Sequence, residues 1–192
     1  EEVFTMTMTD GEWELARPAV FEDDIQNELT YAGFNSVSCA TSGNCTAVGY
    51  FRNSSGDQEA FTMTSTDGEW ETAQPVVFED DIQDETPDTS LKSVSCASPG
   101  NCTAVGEFSA DGDDTMAFIM TMTDGEWETA QPAVFEDDIQ NELTWAWFDS
   151  VSCASPGNCT AVGGFERNID DTYTTEAFTM TTGDDTYSSQ SD

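Results

Sequence analysis

The stretch Ser150–Gly163 reads SVSCASPGNCTAVG, and the identical run recurs at Ser93–Gly106. A third copy, SVSCATSGNCTAVG, occupies Ser36–Gly49. Val and Cys alternate with Ser over SVSCA, which is typical of a β-strand with one apolar face. The following SPGN has the Pro and Gly that a tight reversal favours. Each copy is therefore predicted to form a β-hairpin whose two cysteines face each other.

The whole chain repeats at the same interval as this hairpin. The first cysteines, Cys39, Cys96 and Cys153, lie 57 residues apart, and tryptophans 13, 70 and 127 keep that spacing. Such a period is the signature of a repeat architecture.

Each unit is predicted to contain four short strands. In the second unit they are SVSCA, CTAVGEF, FIMTMT and EWETAQP. FIMTMT alternates strictly, so Phe118, Met120 and Met122 are expected to point inward and the threonines outward. Asp124-Gly125 is a favoured two-residue hairpin turn. A stretch of about 20 residues, such as PAVFEDDIQNELTWAWFD, then crosses to the next unit.

These features predict an all-β fold of three tandem four-stranded antiparallel units that resemble propeller blades, with a β-trefoil as the alternative. Residues 1–192 are expected to form one repeat domain. The division predicted is a half-unit hairpin over 1–18, full units over 36–92 and 93–149, and a partial unit over 150–192. Tyr187 takes the tryptophan position in a degenerate last strand.

The pattern S-V-S-C…C-x-A-V-G, followed by an apolar strand and D-G-x-W, resembles the blades of secreted bacterial repeat proteins with β-propeller folds. It covers nearly the whole chain through three copies. The resemblance implies a propeller-type fold and a secreted or surface setting, but no fixed activity.

The composition excludes several partners. The chain has 39 Asp plus Glu against four Lys plus Arg, no histidine, and a formal charge of −35. It lacks the basic face that nucleic acid or an anionic membrane surface requires. No apolar run reaches the ~20 residues of a membrane span, so membrane insertion is not expected. The charge favours a halophilic protein, the alternative being a generic acidic extracellular domain.

The six cysteines form three identical C-x5-C pairs: Cys39 with Cys45, Cys96 with Cys102, and Cys153 with Cys159. Zinc sites favour shorter spacings and usually include histidine, so disulfides are the stronger interpretation. Disulfides persist in oxidising compartments. The expected location is therefore extracellular or on the cell surface.

Calcium is the one cofactor that the sequence suggests. Adjacent carboxylates can supply several of its oxygen ligands, although the spacing is not that of an EF-hand, and a solvated acidic turn is the alternative. The candidate ligands are Glu22, Asp23, Asp24, Glu79, Asp80, Asp81, Glu136, Asp137 and Asp138.

No catalytic constellation emerges from the sequence. Histidine is absent and every cysteine is expected to be paired, so the usual nucleophile–base arrangements cannot form. Paired carboxylates could hydrolyse glycosides, but identical triplets in three units argue against one specialised pocket. The prediction is that the chain is not an enzyme. Asn53, in an N-S-S sequon of a variable loop, is a candidate glycosylation site.

The half-units at the two ends predict self-association. Open sheet edges are normally covered, so the N-terminal hairpin is expected to complete the C-terminal blade of a neighbouring molecule, the alternative being closure within one chain. Candidate interface residues are Phe4, Met6, Met8, Trp13, Trp145 and Trp147. The predicted function is a structural or adhesive extracellular assembly or filament. A carbohydrate-binding module with glycans as partners is the alternative, followed by a glycosidase.

Overall fold

The computed structural model describes residues 3–9, 11–79, 88–110, 114–169 and 172–181. They form an all-β structure with two short helices, α1 (Asp23–Glu28) and α2 (Asp137–Gln140). Neither of these helices is long or apolar enough to cross a membrane. The predicted strand around Tyr187 lies outside the described residues.

The chain begins with the predicted hairpin, which is divided into two short ladders. Strand β1 (Phe4–Thr5) pairs with β4 (Arg17–Pro18), and β2 (Met8–Thr9) pairs with β3 (Glu12–Trp13). By sequence position these are the third and fourth strands of a blade. No other described residues supply that blade's first two strands.

Three antiparallel blades follow. The first contains β5 (Tyr31–Thr41), β6 (Asn44–Arg52), β7 (Gln58–Thr66), β8 (Glu69–Trp70) and β9 (Gln74–Pro75). The second contains β10 (Asp88–Ser98), β11 (Asn101–Ala110), β12 (Asp114–Thr123), β13 (Glu126–Trp127) and β14 (Gln131–Pro132). The third contains β15 (Leu143–Ser155), β16 (Asn158–Ile169) and β17 (Thr172–Thr181). In the two complete blades the fourth strand is split into two pieces, which both pair with the third strand.

The first strand of each blade is longer than predicted. Strand β10 starts at Asp88, within what the sequence assigns to the crossover, and not at Ser93. A bulge between Leu91 and Ser93 shifts the register, so that Leu91 and Val94 both enter the same hydrophobic core. The bulge breaks the period-two alternation on which the sequence prediction depends.

The blades stack face to face. Single parallel residue pairs join neighbouring blades, Gln58 with Asp88 and Thr115 with Trp145. One hydrophobic core lies between the first and second blades and another between the second and third. This arrangement is that of a propeller, and the β-trefoil alternative is wrong.

The predicted disulfides are all confirmed. They join Cys39 to Cys45, Cys96 to Cys102, and Cys153 to Cys159, each across the turn between the first two strands of a blade. In the two complete blades that turn also contacts the turn between strands three and four. The Gly68 amide donates to the Gly43 carbonyl, and the Gly125 amide to the Gly100 carbonyl, both at 2.9 Å.

Candidate functional site: the open blade faces

Serine side chains connect the first strands of neighbouring blades. The Ser36 and Ser38 hydroxyls accept hydrogen bonds from the backbone amides of Val94 and Cys96, at 3.3 and 3.0 Å. One blade further on, the bonds from Val151 to Ser93 and from Cys153 to Ser95 are equivalent, at 3.2 and 2.9 Å. Because the repeat is so regular, both joints between blades use the same four positions.

A valine pair and a threonine–disulfide contact complete each joint. Val48 of the first blade and Val94 of the second lie in one core, and Val105 and Val151 share the next. The hydroxyl of Thr46 lies 3.5 Å from the Cys102 sulfur. The hydroxyl of Thr103 lies 3.2 Å from the Cys159 sulfur. Each joint therefore combines apolar packing with hydrogen bonds between side chain and backbone.

The third blade exposes the residues that form such a joint elsewhere. We call this surface the back face; it consists of Ser150, Ser152, Thr160 and Val162. Val162 is 41% exposed, whereas its equivalents Val48 and Val105 are both 0% exposed. No described residue covers the back face.

The first blade exposes the complementary half of the joint. We call this surface the front face; it consists of Val37, Cys39 and Cys45, with Ala47 beneath them at 4% exposed. Val37 is 61% exposed, although its equivalents Val94 and Val151 are 5% and 7% exposed. The N-terminal hairpin leans over this face and leaves an open cavity of about 360 Å³, with Phe4 and Met6 on one wall and Val37 and Ala47 on the other.

The hairpin exposes the apolar side chains that were predicted to form an interface. Phe4 and Trp13 are 60% and 63% exposed, and Met6 and Met8 are exposed as well. The equivalent Phe61 and Phe118 are fully buried. The rings of Phe21 and Phe78, from the preceding crossovers, pack on them at 5.0 Å, and aromatic residues of strands one and two lie beside them. The hairpin therefore exposes to solvent the same side chains that form the hydrophobic core in the other blades.

The two tryptophans of the third crossover lie on strand β15. Trp145 is 50% exposed, and its ring meets that of Trp147 edge to face at 6.2 Å. Trp147 is half-buried over Gly164, where an added Cβ would come within 2.4 Å of the indole ring. In sheet register Trp145 pairs with Glu166.

The acidic triplets lie where the crossovers begin. Glu22 precedes helix α1, and Asp23 and Asp24 form its first turn, where negative charge interacts favourably with the helix dipole. All three side chains are exposed, as are those of Glu79 and Glu136. Asp80 and Asp81 lie outside the described residues, as do the side chains of Asp137 and Asp138. Among the described side chains, no three His, Cys, Asp or Glu groups converge on a metal position.

The candidate glycosylation residue, Asn53, organises a loop of the first blade. Its side-chain oxygen accepts from the backbone amides of Ser55 and Asp57, both at 3.0 Å. Its amide donates to Asp57 at 3.1 Å and to Glu59 at 3.5 Å. Burial of Glu59 raises the pKa of its carboxyl; the nearby charges of Asp57 and Glu28 add to this rise, and the bond from Asn53 opposes it.

The equivalent corner of the third blade carries a positive charge. Arg167 takes the place of Asn53 and pairs with Glu176 at 2.6 Å and with Glu142 at 3.8 Å. Its Nε also donates to Glu176 at 2.8 Å. The blades are therefore equivalent at their joints but differ in charge at this corner.

Sequence reasoning missed the serine joints. The alternation of SVSCA places Ser on a polar face, which favours solvent exposure. One signal could have revealed them: the polar face is Ser-x-Ser in all three copies. A face that only contacts water needs no particular polar residue, so the repetition of serine indicates a specific contact.

No known protein-family model matches the sequence, and no curated protein matches it. Among solved structures, the chain is similar to an α-L-arabinanase from Penicillium chrysogenum, complexed with arabinobiose. The TM-score is 0.55 and the sequence identity 12%, and the match covers 99% of this chain and 58% of the arabinanase. The chain thus spans less than two thirds of that protein. At this identity the likeness shows the fold, which is of the β-propeller type.

This likeness contradicts the prediction that the chain is not an enzyme, because a protein of similar fold is a glycosidase. The prediction relied on the absence of histidine, on the pairing of every cysteine and on the recurrence of the same acidic triplet in three units. Glycoside hydrolysis needs two carboxylic acids and no histidine, and this chain has 39 acidic residues.

Proposed function

We propose that this chain is an extracellular structural or adhesive repeat protein that associates head to tail with copies of itself into a surface assembly or filament. The observation that carries the proposal is the hairpin, whose Phe4 is 60% exposed while Phe61 and Phe118 are both 0% exposed. No described residues pair with the hairpin as a first and second strand, and open sheet edges are normally covered. The hairpin is therefore suited to completing a blade of a neighbouring molecule.

The third blade offers a matching position. Its third strand, β17, carries Phe178-Thr179-Met180-Thr181, and the hairpin carries the identical run at Phe4–Thr7. Phe178 and Met180 are buried in the core of the third blade. The hairpin of a second copy can therefore replace β17 beside β16 and add a fourth strand.

An extracellular setting agrees with the three disulfides, which form in oxidising environments. It also agrees with the resemblance to secreted bacterial repeat proteins. Two copies that each carry a charge of −35 repel one another, and salt screens that repulsion. Association is therefore expected to strengthen as salt concentration rises, as suits a halophilic protein.

The test compares the full chain with a variant that combines Phe4→Ser and Met6→Ser. Both side chains are exposed in the single chain, so the variant is expected to remain folded. Leu15→Ser is the matched control, because Leu15 is 89% exposed on the same hairpin but outside the FTMT run. Analytical ultracentrifugation and electron microscopy in concentrated salt should show assemblies for the wild type and the control, and single chains for the double variant. A wild type that stays monomeric, or a double variant that assembles equally well, overturns the proposal.

A second candidate function is carbohydrate recognition, with or without hydrolysis. Trp145 is half exposed beside Trp147 and pairs in register with Glu166, and an aromatic face beside a carboxylate suits a sugar ring. The likeness to an arabinanase with bound arabinobiose adds weight to it.

The test is a glycan array, together with an assay of arabinose oligosaccharide hydrolysis. Trp145→Ala is expected to abolish a signal that Tyr173→Ala preserves, since Tyr173 is 62% exposed on β17. The absence of binding and of hydrolysis by the wild type would eliminate this candidate.

A further inference from the structure

We infer that the back face of the third blade is built to receive the front face of the first blade of a second copy, in the same register as the joints within the chain. The inference depends on the proposed self-association and names the surface through which it occurs. In the two joints within the chain, a surface equivalent to the back face packs against a surface equivalent to the front face.

The apolar part of the contact follows from the valines. Each internal joint places a second-strand valine and a first-strand valine of the next blade in one core, Val48 with Val94 and Val105 with Val151. The third second-strand valine is Val162 and the third first-strand valine is Val37; they are 41% and 61% exposed. Placed in the same joint, they would cover each other.

The polar part follows from the serines. The hydroxyls of Ser150 and Ser152 are exposed on the back face, and their equivalents Ser93 and Ser95 accept from the amides of Val151 and Cys153. On the front face, the matching donors are the backbone amides of Val37 and Cys39. The hydroxyl of Thr160 would likewise meet the sulfur of Cys45, as Thr103 meets Cys159 at 3.2 Å.

Space and charge favour a second copy as the occupant. The cavity of about 360 Å³ in front of Val37 and Ala47 has room for a few incoming side chains beneath the hairpin. The residues that define both faces are Ser, Thr, Val, Ala and Cys, none of which is charged here. Contact between neutral strips lets two strongly acidic molecules meet without burying like charges.

The two faces also match position by position. Three pairs would form between the copies: Val162 with Val37, Ser150 with the Val37 amide, and Thr160 with Cys45. Residues at the same repeat positions already meet in both joints within the chain. A second copy carries the matching residue at every one of these positions because it has the same repeat sequence. An unrelated protein would not be expected to match them all.

The test uses a charge exchange across the proposed contact. Variant one carries Val162→Lys and variant two carries Val37→Glu; both valines are exposed, so neither change disturbs the core of the single chain. In each variant alone, an unpaired charge would be buried in every joint, and association should weaken at least ~100-fold. In an equimolar mixture, joints alternate between two valines and a Lys–Glu pair, and assembly should return. The control pair is Val134→Lys and Val77→Glu, at positions 63% and 58% exposed in the crossovers, which should not alter association.

Four outcomes overturn the inference. If either variant alone assembles as the wild type does, or if mixing restores nothing, the faces do not meet. If only the Phe4→Ser and Met6→Ser changes abolish assembly, the hairpin exchange stands and the face contact falls. If the wild type stays monomeric at every concentration, a second copy does not cover these faces. That result overturns the proposed function as well.

Discussion

The hydroxyl of Ser38 accepts a hydrogen bond of 3.0 Å from the backbone amide of Cys96 in the neighbouring blade. The acceptor is a side chain and the donor is a backbone group, so two first strands are bonded without forming a sheet with each other. Blades can therefore stack face to face and still satisfy backbone amides at their inner edge.

The serine joints are expected to stabilise the fold measurably. Ser93→Ala removes the acceptor of the buried Val151 amide and should lower the free energy of unfolding by ~1–3 kcal/mol. Ser150→Ala is the control: the same substitution on the exposed back face should change that free energy by less than ~0.5 kcal/mol. Urea unfolding of dilute, monomeric protein at one constant salt concentration measures both. Equal effects would show that the bond between blades contributes nothing.

A glycine of the second strand allows the first strand to approach. A Cβ added at Gly106 would lie 2.3 Å from the backbone carbonyl oxygen of Ser90, which cannot move without disturbing the strand. Gly106→Ala is expected to cost ~3 kcal/mol or more. At Gly33 the nearest atom is the Tyr31 hydroxyl oxygen, 3.3 Å away at the end of a flexible side chain. Gly33→Ala should therefore be tolerated, and similar thermal unfolding midpoints for the two variants would refute this account.

Equivalent phenylalanines are expected to differ in their effect on stability. Phe118 is fully buried, so Phe118→Ala should cost ~3–5 kcal/mol. Phe4 occupies the same repeat position but is 60% exposed, so Phe4→Ala should cost less than ~0.5 kcal/mol in dilute, monomeric protein. Denaturation of both variants at low concentration provides the comparison. A large cost for Phe4→Ala in a proven monomer would mean that the hairpin is already covered.

Glu59 is expected to oppose folding at neutral pH. Burial raises its pKa above the ordinary value of 4.5, so the folded state holds the proton more tightly than the unfolded state does. Stability from this group therefore falls as the pH rises from 4.5 through the raised pKa, and Glu59→Gln should raise the unfolding temperature at neutral pH. At about pH 4 and below, where both states are increasingly protonated, the gain should shrink.

The control for Glu59 is Glu176→Gln, at the equivalent position of the third blade. Glu176 pairs with Arg167 at 2.6 Å, so its substitution should lower the unfolding temperature at neutral pH. Calorimetry at the two pH values measures both variants. A gain from Glu59→Gln that is the same at both pH values would contradict the assigned cause.

Local chemistry made the blades and disulfides predictable. The Asp-Gly turns were read correctly because only a few residues adopt positive φ, and Asp67, Gly68, Asp124 and Gly125 all do. The inward Phe and Met of the third strand were predicted from alternation alone.

Contacts between blades could not be predicted in the same way. Alternation assigns Thr62 to solvent, but it is 3% exposed. It pairs in register with Val48, which lies in the core shared with the next blade. The bulge at Leu91 and Ser93 is invisible in the period of the sequence, and so the start of β10 was placed too late. The stacking of the sheets determines which polar faces are buried. The alternation of residues within one strand does not predict that stacking.

The serine joint affects how such a chain can change in length over evolution. Each unit carries its own acceptors on one side and its own donors on the other, so insertion or loss of a complete unit by recombination recreates a matched boundary at once. No compensating substitution is needed at the splice. The near identity of the three units is what such recent duplication would leave behind.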